Sequence, residues 1–597
     1  MTEQDVVRTN APALVHITST EDMIRRKLEE ERLRLEREAG VEDKMVQHFA
    51  RPTENPFTKA QRDYTTILFG GLTWKHEKLV HGALEGLGYK CEPIPTPNVK
   101  AFQTGKEFGN NGQCNPTYFT VGNLVQFLQD LEKKGMTKQE IIDKHVFFTA
   151  GACGPCRFGM YEAEYRLALR NSGYDGFRVL LFQQSGGLNQ AEIEAGLELN
   201  LEFFLAILNA LNMGDIINDV AYQIRPYEVN KGETDRVLAE VMDHMHEVMK
   251  NTKAFQIQES KLQKFVGKFE TTADYLGKFL KQLYRDDYMA ALHYARDRFN
   301  EIQVDRTRCK PLVKITGEFW AQTTEGDGNF NMFRFLEREG AQVMVEPIGT
   351  WINYLIHQAK QAAADRKGLD LNGEVKEFEA KSWRERLGVE LNFKKKAVLL
   401  TIAEKIFRRE YHRIAEALGG IAHHLADQYE LQRVSHPFYN TRSAGGEGHL
   451  EVAKNIYYSN KGLAHMVLSL KPFGCMPSTQ SDGAQSAVVG MYKDMIYLPV
   501  ETSGEGEINA HSRVQMALGE AKAKCKNEHK EALGATGYTI EEIKAYVAAH
   551  DELERPMYKV PHYQGIVGTS AAFIKHVGER MRAEGIVSQS KTAAAVA

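Results

Sequence analysis

The residues best suited to chemistry are cysteines. Phe147-Phe-Thr-Ala-Gly-Ala-Cys153-Gly-Pro-Cys156-Arg157-Phe-Gly reads as a buried strand ending in a tight turn that carries two thiols before a helix begins. Two thiols in one such turn converge on one point. Amide groups at the start of the following helix, with Arg157 beside them, would stabilise thiolates and an anionic group held by them. A lone Cys-x-x-Cys fits a zinc site, a dithiol redox pair or an iron–sulfur cluster. Cys114 lies in the turn-rich segment Gly109-Asn-Asn-Gly-Gln-Cys114-Asn-Pro, before a helix expected from about Thr117 to Lys133. Cys475 lies in Val467-Leu-Ser-Leu-Lys-Pro-Phe-Gly-Cys475-Met-Pro, just past a strand. All four therefore sit at strand or turn exits, where an α/β sheet places its ligands. Cys91, Cys309 and Cys525 lack that setting and read as small buried or incidental thiols.

Other polar residues are weaker candidates. Glu447 lies in a Gly445-Gly-Glu-Gly448 turn leading into a helix from about Leu450, a loop that would present amides to an anion such as a CoA phosphate or simply start the helix. Glu501 is expected to end a buried strand as a satisfied carboxylate, with the cleft as the alternative. His449 and His465 have only their positions to recommend them and are left out of the site. Neither a Gly-x-x-x-x-Gly-Lys-Ser/Thr loop nor a Gly-x-Gly-x-x-Gly following a strand is present, so the sequence indicates no P-loop or Rossmann dinucleotide site.

These residues need elements to position them. Thr65 to Gly71, a helix from Lys75 to Leu87 and a strand from Lys90 to Ile94 form a β-α-β unit, and strands at His145–Thr149 and Arg178–Phe182 flank a helix beginning near Arg157. A second region opens with the strand in Pro311-Leu-Val-Lys-Ile-Thr-Gly-Glu-Phe-Trp320, continues through a helix at Phe330–Glu339 and reaches a strand at 342–346. The recurrence predicts an α/β protein with two lobes, each a parallel sheet flanked by helices, joined by a helical region. The expected divisions are a helical arm at 1–58 and a first lobe at 59–189 with Cys114, Cys153 and Cys156. A helical connector at 190–308 follows, then a second lobe at 309–530 with a helical insertion and Cys475, and C-terminal helices and a tail at 531–597. Within the arm, a charged helix from Thr20 to Gly40 is expected to pack Ile24 and Leu28 on a neighbour, and the stretch after Ser588 to be a disordered tail.

The 597 residues are enough for several cores. The 75 Lys and Arg against 79 Asp and Glu give a net charge of −4 with both signs interspersed, which argues against a nucleic-acid binder. Seven cysteines are too few for a disulfide framework. No apolar run approaches the roughly 20 residues of a membrane span, and the first residues lack the pattern of a signal peptide, so the expectation is a cytoplasmic protein with no membrane association.

Asn-Asn-Gly-Gln-Cys114-Asn-Pro, Ala-Gly-Ala-Cys153-Gly-Pro-Cys156-Arg-Phe-Gly-Met-Tyr-Glu, Gly445-Gly-Glu-Gly448 and Lys-Pro-Phe-Gly-Cys475-Met-Pro resemble the loops of the 2-hydroxyacyl-CoA dehydratase and benzoyl-CoA reductase family. They look closest to the branch associated with CoA-substrate-specific enzyme activases. The resemblance spans about residues 60 to 515 and is specific at the cysteine loops. It implies an iron–sulfur cluster, 4Fe–4S or of the double-cubane type, held by Cys114, Cys153, Cys156 and Cys475. It also implies low-potential electrons supplied by a separate ATP-dependent activase carrying its own cluster, a reductive or dehydrating reaction on a CoA thioester, and a homodimer. The chain departs from the dehydratase subunits in being longer and in taking two thiols from one turn. Four ligands would close a cuboidal cluster and favour an electron-transfer or activation accessory without its own turnover, whereas an open iron would favour an enzyme component.

Overall fold

The computed structural model describes residues 20–38, 56–151, 156–183, 196–251, 285–367, 382–443 and 445–587. The chain divides into two units, 1–53 and 54–597. In the first, α1 (Thr20–Glu38) is a charged helix with i,i+3 pairs Arg32–Glu29 at 2.6 Å and Arg34–Glu31 at 2.8 Å. Ile24 and Leu28, expected to be packed, are exposed, because their helix is polar on nearly every side. The expected stop at Gly40 and the tail after Ser588 lie outside the described residues.

The second unit holds two four-stranded parallel sheets wound in the same order. The first contains β1 (Thr66–Phe69), β2 (Cys91–Pro93), β3 (His145–Gly151) and β4 (Arg178–Gln183) in the order β2-β1-β3-β4. The second contains β5 (Leu312–Gly317), β6 (Gln342–Met344), β7 (Met466–Pro472) and β8 (Tyr497–Thr502) in the order β6-β5-β7-β8. The two-lobed α/β architecture read from the sequence is therefore the one observed. In each sheet the chain leaves the first strand toward one edge and returns to build toward the other. The strand order thus reverses between β1 and β3 and between β5 and β7, and ligands on open α/β sheets bind outside the carboxyl ends of strands at such a reversal.

In the first lobe, α2 (Trp74–Gly86) follows β1, α3 (Val99–Phe108) and α4 (Asn115–Lys133) follow β2, α5 (Lys138–Lys144) leads into β3, and α6 (Tyr161–Asn171) leads into β4. Alternating residues of the sheet serve opposite cores, as the two-residue strand period demands. Ile67, Phe69, Val146 and Leu180 pack with α2, α7 (Leu201–Ile224), α8 (Glu233–Lys250) and α9 (Asp286–Phe299). Leu68, Phe147 and Val179 pack under α4 and α6. The connector thus completes the first lobe's core. The Glu202–Tyr227 segment is long and apolar enough to cross a membrane, which revises the reading that no such run exists. Because 72% of its most apolar window is buried in the protein, its hydrophobicity is accounted for as that of a core helix.

In the second lobe, α10 (Phe319–Thr323) and α11 (Met332–Arg338) follow β5, and α11 starts two residues later than expected because Phe330 and Asn331 take positive φ at 61° and 49°. Then come α12 (Ile348–Asp365), α13 (Trp383–Ala417), α14 (Gln428–Ser435), α15 (Leu450–Asn460), α16 (Met476–Met491) and α17 (Glu507–Thr536). Val313, Ile315, Leu468 and Leu470 pack against Leu336, Val514 and Leu518. Every residue of β5 and of β7 is buried, as expected for strands covered on both faces. β8 is different: it is an edge strand, and Glu501, expected to end a buried strand, is exposed on it. The chain finishes with α18 (Ile540–Ala548) and α19 (Thr569–Ala583), packed through Ile543, Val547, Phe573 and Val577.

Candidate functional site

Three of the four site cysteines lie within the described residues, and each caps the start of a helix. Cys114 is the N-cap of α4, which begins at Asn115 and not at Thr117, because Pro116 fits the first turn, where its missing N–H costs nothing. Cys475 is the N-cap of α16, with Pro477 in the first turn. Cys156 caps the short 3-10 turn Arg157–Met160, whose Phe158 N–H donates to its sulfur at 3.5 Å. Both long helices thus open with Cys-x-Pro, which places each cysteine at the positive end of a helix dipole. Cys153 lies outside the described residues.

Residues of both lobes bring these loops together. The Asn115 N–H donates to Phe473 O at 3.1 Å, and Asn115 Nδ2 donates to Thr502 O at 2.6 Å. Gly474 takes φ +77°, and a Cβ there would stand 3.3 Å from the Cα of Cys114. The Gly445–Gly448 turn lies between the remaining two loops: a Cβ on Gly446 would meet Pro477 Cγ at 2.5 Å and Cys156 Cβ at 3.7 Å. Cys114, Cys156 and Cys475 therefore face one junction between the lobes, at the carboxyl ends of β3 and β7. Glu164, buried on α6, shapes the Cys114 loop by accepting from Asn110 N at 3.1 Å, Asn110 Nδ2 at 2.7 Å and Gln113 Nε2 at 3.0 Å. Arg157 follows Cys156 directly in the short turn. Its guanidinium donates to Gly112 O and so joins the Cys156 and Cys114 loops.

Hydroxyls and carboxyls surround the sulfurs. Cys114 Sγ lies 3.2 Å from both Thr117 Oγ1 and Tyr161 Oη. Glu318, the residue after β5, is the N-cap of α10 and accepts from Trp320 N at 3.1 Å and Ala321 N at 2.9 Å. Glu447 is buried and accepts from the Phe319 N–H, so it points inward and does not merely start a helix. Glu451, in the first turn of α15, accepts from Ser478 Oγ at 2.6 Å and from Ser481 Oγ, fixing the start of α16 behind Cys475.

Burial pushes the Cys156 thiol up to about 12 and raises Cys114 and Cys475 as well, with Glu318 adding repulsion at all three and Glu447 at Cys156 and Cys475. Burial likewise raises the Glu318 carboxyl to about 7 and lifts Glu447 well above the usual range, the latter also through Glu318 and Glu451. Thiolates in such a setting need positive partners: helix amides and donated hydroxyl protons supply part, and a metal centre would supply the rest. A single tetrahedral zinc ion, with bonds of about 2.3 Å, holds its sulfurs about 3.8 Å apart. Among the described residues Cys114, Cys156 and Cys475 do not gather within 4.8 Å of one another, so these three do not form a ready single-ion site.

The sequence reading missed Glu318 and Glu451. A glutamate directly after a buried strand was the available signal for Glu318. Cys309 and Cys525, read as incidental, have sulfurs 3.3 Å apart. His449 is buried against Tyr354 at 5.5 Å with neither ring nitrogen partnered among the described residues, and burial lowers it to about 4. A cavity of about 560 Å³ opens elsewhere, beside Leu312 and Gln342 at the amino ends of β5 and β6. Three of its lining charges are paired within the fold, Asp219 with His423 at 2.8 Å, Lys314 with Glu346 at 2.7 Å and Lys559 with Glu416 at 2.9 Å. Comparison with family models and with curated proteins finds no match to this chain.

Proposed function

We propose that this chain is an iron–sulfur redox protein resembling the 2-hydroxyacyl-CoA dehydratase components, with the cluster held between its lobes by Cys114, Cys153, Cys156 and Cys475. The observation that carries the reading is the pair of Cys-x-Pro helix starts, one from each lobe, meeting across the Asn115–Phe473 hydrogen bond with Cys156 facing the same junction. The donor set fits the group: soft sulfur ligands, helix amides and two hydroxyls within 3.2 Å of Cys114 Sγ suit a thiolate-bound anionic cluster. When bound, a cluster of this kind supplies one-electron transfer at low potential.

The protein's residues do the remaining work. Thr117 and Tyr161 would donate toward a Cys114 thiolate, and burial of the junction excludes water. Burial, with Glu318 and Glu451 close by, raises the Glu447 carboxyl well above its usual range and so favours its protonated form beside the thiols. The resemblance of the cysteine loops implies a separate ATP-dependent activase carrying its own iron–sulfur cluster as partner and a CoA thioester as substrate class, in keeping with the lack of a phosphate-cradling loop in this sequence. Anaerobic purification followed by iron, zinc and acid-labile sulfide analysis, with EPR and Mössbauer spectra recorded with and without a candidate activase, tests the reading. Iron and sulfide in similar amounts and a signal that changes when activase and ATP are added are expected. Zinc without sulfide would overturn it.

A further inference from the structure

A second group of metal-ligating side chains lies where α2 of the first lobe crosses α8. His81 and Glu85 are four residues apart on α2 and so share one face, and His246 projects from α8 onto that face. The crossing is close because two glycines line it: a Cβ on Gly82 would meet His246 O at 2.7 Å, and one on Gly86 would meet Met249 O at 2.5 Å. That approach brings the His81 and His246 rings to 5.0 Å. Glu85 Oε2 lies 3.1 Å from His246 Nε2 and 3.9 Å from His81 Nε2, and one ligand atom from each of the three residues falls within 4.8 Å of the others. A tetrahedral ion with bonds of about 2.0 to 2.1 Å to nitrogen and oxygen needs its ligands about 3.3 Å apart.

We propose that His81, Glu85 and His246 bind a divalent transition-metal ion of the zinc type, fastening α2 to α8. Glu85 Oε2 and His246 Nε2 are both buried, and although 3.1 Å apart they do not meet as hydrogen-bond donor and acceptor. Two atoms side by side and unaligned are disposed as ligands of a common centre. The surrounding groups fit. Lys250 Nζ takes the other oxygen of Glu85 at 3.2 Å, leaving Oε2 as a single ligand. Glu247 Oε1 lies 3.5 Å from His246 Nδ1, so the ring's second nitrogen faces a carboxylate, as outer-shell partners of a ligating histidine do. With three protein ligands, the fourth position falls to water. The site shares no residue with the cysteine junction.

The test is zinc binding by the full chain, measured by competition with a chromophoric chelator, and Co²⁺ absorption as a report on ligand type. The wild-type protein should bind one equivalent of Zn²⁺ more than His246→Ala, or bind it at least tenfold more tightly. The cobalt difference spectrum between the two should show d–d bands without thiolate-to-cobalt charge transfer, which separates this site from the cysteines. Zn²⁺ should raise the melting temperature of wild type and not that of Glu85→Gln. Equal stoichiometry and affinity in wild type and His246→Ala, leaving a salt-bridged cluster only, would overturn the proposal. Should His246→Ala fail to fold, as judged by circular dichroism in EDTA, His81→Gln at its partly exposed position decides in the same way.

Discussion

Gly317→Ala should be among the most damaging single-methyl additions in the second lobe. Gly317 ends β5 with φ +118°, a region that L side chains rarely adopt, and it pairs in register with Leu470 of β7. A Cβ there would overlap the Leu470 carbonyl oxygen and stand 2.7 Å from that residue's carbonyl carbon and nitrogen. The same carbonyl accepts the Glu318 N–H at 3.0 Å, so it cannot move away without breaking the hydrogen bond that sets Glu318 at the junction. Backbone strain of about 1–3 kcal/mol and a lost hydrogen bond of about 1 kcal/mol, with overpacking of about 1–3 kcal/mol, place the total at roughly 3–7 kcal/mol. Gly340 is the control. It also has positive φ, +87°, but a Cβ there meets nothing within 4 Å, so Gly340→Ala should cost only the conformational part, about 1–2 kcal/mol. Urea unfolding of the two variants under identical conditions reads the difference, and iron content reads the effect on the junction. Equal midpoints for the two would refute the reasoning, since the Leu470 contact would then count for nothing.

Replacing Cys114, Cys156 or Cys475 by Ser should remove most of the iron, because a neutral hydroxyl is a far poorer ligand than a thiolate, whereas Cys91→Ser should leave iron content unchanged; metal analysis of anaerobically prepared variants decides. Glu77 is buried, its Oε1 accepting from Gly71 N at 2.9 Å and Leu72 N at 3.0 Å, and burial raises it to about 8 from an ordinary 4.5. Since the folded value is the higher one, its contribution is fully present in acid and is lost as pH climbs from about 4.5 to 8, by up to about 1.4 kcal/mol per unit. Glu77→Gln should therefore gain on wild type in melting temperature between pH 5 and 8, and a constant difference would count against the assignment. Diamide oxidation should join Cys309 to Cys525, since their sulfurs are 3.3 Å apart and Cys309 is lowered to about 7 through its hydrogen bond with Cys525; peptide mapping should find that crosslink with Cys91 still alkylatable, and free Cys309 after oxidation would contradict it.

The features legible in the sequence are those encoded over a few neighbouring residues. Strands buried on both faces are mostly apolar, so Leu312–Gly317 and Met466–Pro472 were legible despite Lys314, Thr316, Ser469 and Lys471, and their alternation with helical stretches pointed to the two-lobed parallel architecture. The exits after β3 and β7 marked Cys156 and Cys475 as candidates for the same reason. Pro116 and Pro477 held a further signal, that each cysteine is itself a helix cap, which the expected start at Thr117 overlooked. What the tertiary structure alone decided is which exits meet. Glu318 joins the junction because β5 lies beside β7, although nearly 150 residues separate those strands in sequence. Cys309 and Cys525, 216 positions apart, are neighbours through the packing of α17. His81, Glu85 and His246 share a crossing that only the two glycines of α2 make close enough. Local sequence fixes backbone periodicity and exposure within a turn or a strand, whereas contacts across a sheet or a helix crossing depend on register and interaxial distance, which are set by the packing of the whole core.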